Sequence, residues 1–334
     1  MSYHVDFQIF YGASNLKDPY HNLKDLAPSL IRRLEPRIGL YHLSQRWAME
    51  KTAPSDPWRR KRLMERLPVR PLLNLTLGIT GLKRRGRANA CSPVLVENEV
   101  PLPGLPAAFH GYRILQLTDL HLDNDDTVLE STLGIIAGIE HDLCVFTGDY
   151  SARHDEALLM SAFEALRGHL EGEAIAVLGN HDSIRVVSCL EAHGIQVLLN
   201  ERVTVTRGEE RITLAGVDDY HYFRLANLER TLDGITPRET VILLNHSPEQ
   251  FRQAGHAGVD LYLCGHTHGG QICLPGGLAP GFNIECTRRV GRGAWRYGAM
   301  HGYTSRGVGT SLVNVRYNCP PEITRHRLVG VEDN

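Results

Sequence analysis

Six times between Arg113 and Cys264 a short apolar run stops at a group of Asp, Asn, Gly or His. The runs RILQLT, DLCVFT, EAIAVL, TVILLN and VDLYLC lead into DLHLD, GDYSA, GNHDS, HSP and GHTHGG, and RITLAGV leads into DDYHYF. Runs this short, rich in β-branched side chains and closed by turn-forming residues, read as buried strands. Helix-like spacing near Asp126 to Ile139, Asp155 to His169 and Ser183 to His193 falls between them. Such alternation predicts a layered α/β domain. In open α/β sheets the loops beyond the carboxyl ends of the strands converge on one rim, so five of these runs deliver His, Asp or Asn to one place.

Those side chains narrow the chemistry. Asp119 and His121 follow the first run, Asp149 the second, and Asn180, His181 and Asp182 the third; His246 and the pair His266 and His268 follow the last two. Taken singly, an Asp-x-His is a turn or a helix cap, Gly-Asp a turn, Asn180 a turn residue and His246 a hydrogen-bonded core histidine. Taken together, in order and each at the end of an apolar run, they form a metal-binding set. Imidazole, carboxylate and amide oxygen without thiolate suit manganese, iron, zinc or magnesium over copper(I) or an iron–sulfur cluster. Seven such groups exceed the needs of one ion. Two ions ~3.5–4 Å apart would use them all, and such pairs serve hydrolysis of phosphate esters. Asp149, alone after its glycine, is the natural bridge.

Composition sets the frame for this reading. The chain has 334 residues, 42% hydrophobic and 22% charged, with a formal net charge of −2, values typical of a soluble globular protein. Seven cysteines are scattered without a C-x-x-C pair, which argues against a disulfide framework or a thiolate zinc site and for a reducing cytoplasm. MSYHVDFQIF lacks the basic start and apolar core of a signal peptide, and no apolar run reaches the ~18 residues of a spanning helix.

Charge is uneven. Between Trp58 and Arg87 ten Lys and Arg are opposed by one acidic residue, Glu65. LPVRPLLNLTLGITGL runs through the middle of this block, apolar but broken by Pro68, Arg70, Pro71 and Asn74. A solvated face or interdomain strap is one reading; peripheral contact with an anionic membrane is the other. Aromatic residues are almost absent from the block, so no specific nucleic-acid partner is expected.

The order D-x-H, G-D, G-N-H-D, H and G-H-x-H, over about Arg113 to Arg327, resembles the calcineurin-like metallophosphoesterase superfamily. GHTHGGQICLPGG, followed by GYTSRGVGTS and RYNCPPEITRHRL, resembles a branch of bacterial membrane-associated phosphodiesterases and UDP-2,3-diacylglucosamine pyrophosphatases. The resemblance implies a four-layer αββα sandwich over residues 108–330, after a partly helical extension over residues 1–100 that includes the basic, apolar-cored segment 58–87. Many members of this branch begin with a transmembrane helix; here that basic segment stands instead, and the expected location is cytoplasmic, peripheral at the inner membrane surface.

Carried over motif by motif, Asp119, His121, Asp149 and His268 would hold a first divalent ion, and Asp149, Asn180, His246 and His266 a second, manganese being the first choice. Gly265 would let the backbone turn so that His266 and His268 serve different ions, while Gly269 and Gly270 keep the approach open. A hydroxide held between the ions would attack phosphorus in line, and His181 would protonate the leaving oxygen. Asp182 is expected to orient His181, to contact substrate or to cap the helix at Ser183; Arg306 to contact a substrate phosphate or to form a surface salt bridge. Asp218, Asp219, His221 and Tyr222 are candidates for the pocket lining. The expected substrate is a phosphate ester, lipid-linked in this branch. The rivals are a general phosphodiesterase or nuclease of the same fold and a non-catalytic scaffold. GDYSARH and GNHD differ from the forms of the phosphoprotein phosphatase branch, and scaffolds lose ligands that this chain keeps.

Overall fold

The computed structural model describes residues 18–52, 69–123, 125, 127–151, 155–236 and 238–331. Residues 58–68 of the basic segment lie outside these. The chain divides into two compact units, Met1–Val69 and Arg70–Asn334.

In the first unit three helices are described: α1 (Pro19–Asn22), α2 (Pro28–Ile38) and α3 (Leu40–Thr52). Asp18 caps α1 by accepting the backbone N–H groups of Tyr20 and His21 at 3.1 and 3.3 Å. Helix α2 buries Leu30, Leu34 and Ile38 at helical spacing, and α3 buries Leu43 and Trp47.

Helix α4 (Val69–Ile79) starts at the boundary, and the second unit continues with α5 (Leu82–Ala90) and two six-stranded sheets. The first contains β1 (Val94–Pro103), β2 (Arg113–Leu117), β3 (Leu143–Phe146), β4 (Glu173–Ala176), β5 (Ile195–Val197) and β12 (Glu322–Val331), in the order β1-β12-β2-β3-β4-β5. The second contains β6 (Glu201–Arg207), β7 (Glu210–Gly216), β8 (Val241–Leu244), β9 (Leu261–Cys264), β10 (Gly293–Tyr297) and β11 (Met300–Thr304), in the order β10-β11-β9-β8-β7-β6. Within them β2 to β5, and β7, β8, β9 and β11, run parallel. Helices α6 (Thr127–Ile136), α7 (Glu156–Arg167), α8 (Val186–Ala192), α9 (Leu228–Leu232) and α10 (Phe251–His256) connect strands. Asp155 caps α7 by accepting the N–H of Leu158 at 3.1 Å.

Strand alternation divides the core into layers. Ile212, Leu214, Ile242, Leu244, Leu261 and Leu263 face Ile114, Val145, Ile175 and Val177 of the first sheet in one buried cluster. Their neighbours Ala215, Val241, Leu243, Tyr262 and Cys264 face outward, under Phe251 and Ala254 of α10. On the outer side of the first sheet Phe163 of α7 stacks edge-on with Phe146 and Tyr150 at 5.9 and 5.4 Å. The architecture is therefore two facing mixed sheets with helices outside both, as the sequence predicts. All six predicted strands are present. The stretch PLPGLPAAFHG contributes the end of β1, which pairs with β12 from Val94↔Glu322 to Pro103↔Val331, and the fully buried Phe109.

Candidate metal centre

The predicted ligands come from five strand ends of the two sheets. Asp119 and His121 follow β2, Asp149 follows β3, Asn180 follows β4, His246 follows β8, and His266 and His268 follow β9. Asp119, His121 and His268 form one buried group, and Asp149, His246 and His266 a second; within each, donor atoms lie within 4.8 Å of one another.

The donor atoms point at each other. Nε2 of His121 is 3.3 Å from Nε2 of His268, which is 3.4 Å from Oδ1 of Asp119. In the second group, Nε2 of His246 is 3.2 Å from Oδ2 of Asp149, 3.1 Å from Oδ1 of Asn180 and 3.2 Å from Nδ1 of His266. The two groups meet at Asp149, whose Oδ2 is also 3.6 Å from Nε2 of His121. Bonds of ~2.1 Å to a shared cation place neighbouring ligand atoms roughly 3.0–3.4 Å apart, so these spacings fit the edges of two coordination shells.

The outward nitrogens fix the inward ones. Nδ1 of His246 faces the carbonyl of Thr147 at 2.7 Å, and Nε2 of His266 that of Asn283 at 2.8 Å. A ring N–H donated outward leaves the other nitrogen's lone pair turned to the centre. Nδ1 of His121 is buried and finds no hydrogen-bond partner among the described residues.

Electrostatics agree with a cation site. Burial pushes His121 down to about 4 and holds His266 and His268 well below the usual histidine range. For His246, burial acts downward, but the charge and hydrogen bond of Asp149 outweigh it and raise it to about 10. Asp149 is held well below the carboxylate range: burial opposes this, and the charges of His246 and His181 overcome it. A buried pocket that keeps His121, His266 and His268 neutral while Asp149 draws positive charge suits divalent metal.

Backbone conformation sets these side chains in place. Asp119, His121, Asp149, His266 and His268 all have φ between 41° and 71°, in the left-handed region, where non-glycine residues are strained and cluster at functional sites. His266 and His268 therefore make the turn themselves, in place of the role expected of Gly265. Gly265 is needed for space, because a Cβ there would lie 2.3 Å from Oδ2 of Asp119 and Oγ1 of Thr118. Gly179 likewise leaves room for Asp149, whose Oδ1 would be 2.2 Å from a Cβ.

Other candidates fall around this centre. His181 is exposed; its ring stands edge-on to that of His121 at 5.4 Å, and its N–H donates to Oδ1 of Asp149 at 2.9 Å. Asp182 serves the backbone of the neighbouring loops. It is 1% exposed, and its carboxylate accepts the backbone N–H groups of Gly179 and Asp149 at 2.7 Å and of Tyr150 at 2.8 Å. The β3 and β4 loops, each carrying a predicted ligand, are thus tied by one carboxylate. Arg306 pairs through Nε with buried Glu322, the salt-bridge alternative, and passes over Gly269, where a Cβ would meet its Cγ. Asp219 is buried and accepts the N–H groups of His221, Tyr222 and Phe223. That turn presents His221, which packs on His266 with ring centroids 4.0 Å apart and is held through Nδ1 by Glu249 at 3.0 Å.

Two supporting residues escape a reading by motif. Glu249 stands three positions after His246, and only the fold shows that it holds His221. Arg316, in RYNCPPEI, is fully buried and donates to the carbonyls of Gly309, Arg306, Gly307 and His268 at 2.6, 2.8, 3.0 and 3.3 Å.

Comparison with known proteins agrees with this geometry. The family model described as calcineurin-like phosphoesterase matches residues 112–270. Phosphodiesterase YaeI of Escherichia coli is 33% identical over 229 residues, covering 65% of this chain and 82% of its own. The uncharacterized metallophosphoesterase YkuE of Bacillus subtilis is 32% identical over 238 residues, 66% of this chain and 80% of its own. UDP-2,3-diacylglucosamine pyrophosphatase LpxG of Chlamydia trachomatis is 24% identical over 291 residues, 66% of this chain and 85% of its own. The chain belongs to the calcineurin-like phosphoesterase family and is a metallophosphoesterase, with relatives named as a phosphodiesterase and a pyrophosphatase.

Proposed function

We propose that the chain cleaves a phosphodiester or pyrophosphate bond in a lipid-linked nucleotide, using two divalent ions. The observation that carries this reading is the position of Asp149, with Oδ2 3.6 Å from Nε2 of His121 in one group and 3.2 Å from Nε2 of His246 in the other. Asp119, His121, Asp149 and His268 would hold one ion, and Asp149, Asn180, His246 and His266 the other. These nitrogen and oxygen donors suit manganese first, with iron, zinc and magnesium as alternatives. When bound, such a pair supplies an acidified water for attack and positive charge for the transition state.

The chain's own part in the reaction falls to His181. Its imidazole is the exposed group beside His121, and its backbone is fixed by Asp149. An imidazole so placed gives its proton to the departing oxygen, which an alcohol leaving group requires at neutral pH. Asp182 acts on the backbone, holding Asp149 and Gly179 in register.

The lipid-linked substrate is supported by the LpxG relative, whose name specifies UDP-2,3-diacylglucosamine. A second reading, a general phosphodiesterase, is favoured by the higher identity to YaeI. The deciding experiment measures UMP release from UDP-2,3-diacylglucosamine by manganese-loaded protein, with an aryl phosphodiester in parallel. UMP release abolished by Asp149→Asn supports the first reading. Cleavage of the aryl diester alone supports the second, and no cleavage of either overturns both.

A further inference from the structure

Helix α4 has two faces of different character. Leu77 turns inward onto Val313 and Val315, with Leu73, Ile272 and Tyr317 packed against the same cluster. Leu72, Leu75 and Ile79, three and four positions apart, share the opposite face. They point to solvent: Leu75 is 60% and Ile79 78% exposed, and Leu82 at the start of α5 is also exposed. The loops that supply the inner cluster add Leu312, next to Val313, and Leu274 and Leu278, which pair across an isolated bridge just beyond Ile272. Seven of the 13 large exposed hydrophobic side chains among the described residues thus gather on this part of the unit. Exposed apolar clusters of this kind mark interaction surfaces.

The charge within this segment has one sign. No Asp or Glu occurs between Arg66 and Val96, and Lys83, Arg84 and Arg85 follow Leu82 directly, all exposed. We propose that this face docks on an anionic lipid bilayer, with Leu72, Leu75 and Ile79 in the headgroup–acyl boundary and Lys83, Arg84 and Arg85 among the lipid phosphates. The 11 residues of α4 span ~16 Å, about half of a hydrocarbon core, so the helix lies along the surface. A second copy of the chain is a poorer occupant, because a two-fold contact through this face would oppose two basic clusters. Leu274 lies six residues after His268, so a bilayer held here adjoins the metal-bearing loop. Delivery of substrate at this edge rests on the lipid-linked reading above; the contact itself does not.

Flotation of the full chain tests the surface, using vesicles of phosphatidylcholine with and without phosphatidylglycerol. The expected result is binding to the anionic vesicles only. Lys83→Gln/Arg84→Gln/Arg85→Gln should lower the partition coefficient on the order of 100-fold, and Leu75→Ser/Ile79→Ser at least about tenfold, with aryl phosphodiester turnover unchanged in both. Failure of the parent protein to bind overturns the proposal, as does binding that neither variant weakens. A dimer in solution that Leu75→Ser/Ile79→Ser dissolves would assign the face to a second copy and overturn it equally. Vesicle binding by protein that leaves UDP-2,3-diacylglucosamine intact overturns the substrate reading alone.

Discussion

Oδ2 of Asp149 lies 3.2 Å from Nε2 of His246, with both side chains buried, and this contact couples metal uptake to protons. His246 is raised from 6.5 to about 10, so before metal binds it carries a proton throughout that interval. A cation must displace that proton. Affinity for the ion held by His246 should therefore climb about tenfold per pH unit from pH 6.5 towards pH 10, with about one proton released as that position fills. Without metal, the raised His246 contributes stability that is complete below pH 6.5 and lost as pH rises through about 10. Titration calorimetry in buffers of different ionisation enthalpy counts the protons; pH-independent affinity would contradict the assignment.

Replacing Asp149 by Asn should impair both metal positions together, because the side chain faces both His121 and His246. Replacing His268 should instead spare the second position. Metal content measured after dialysis should fall from two ions to less than one in Asp149→Asn, with turnover reduced more than about 100-fold. Two tightly held ions in that variant would show that the bridge lies elsewhere.

His181→Ala should lower kcat by about 10²- to 10⁴-fold and leave the metal content at the parent value. The loss should shrink for a nitrophenyl leaving group, which departs without needing a proton, and grow for an alkyl one. Equal losses on both substrates would deprive His181 of its part as acid.

The strand ends could be read because each packs its signal into a few consecutive residues: an apolar run, a turn and a ligand, as in LCGHTH. What could not be read depends on chain segments that meet only after folding. Parallel pairing of β1 with β12 joins Val94 to Glu322, and neither segment carries a local mark of its partner. Adjacency to His181 suggests Asp182 as a substrate contact, and only the fold shows that its oxygens accept backbone N–H groups from two loops that converge from β3 and β4. The role assigned to Gly265 failed for a related reason. A glycine beside two histidines suggests freedom of the backbone, whereas the space it leaves is filled by Asp119, 146 positions away in the chain.

Asp182→Asn isolates that backbone role. The amide retains one accepting oxygen and sets an NH2 against N–H groups that need an acceptor, so at least one charge-assisted bond is lost, at about 1.5–3 kcal/mol. A drop in thermal stability should accompany metal binding weakened by about 10- to 100-fold. Parent-like melting and metal affinity would mean that the loops hold their shape without it.

Arg316 offers the sharpest separation between support and chemistry. Its guanidinium is fully buried, pairs with no carboxylate among the described residues, and spends its donors on the carbonyls of Arg306, Gly307, Gly309 and His268. Burial lowers its pKa, so the site bears a desolvation cost that these bonds, with the charge of Asp119, offset. A lysine has a single ammonium and cannot reproduce the planar fork. Arg316→Lys should therefore destabilise the fold by at least about 3 kcal/mol, several carbonyls being left unpaired. Because one of them belongs to His268, the loss should fall on the ion held by Asp119, His121 and His268 before the one held by His246 and His266. Stepwise metal titration of the variant would resolve the two; equal weakening of both positions would make Arg316 a general core residue with no special tie to the His268 loop.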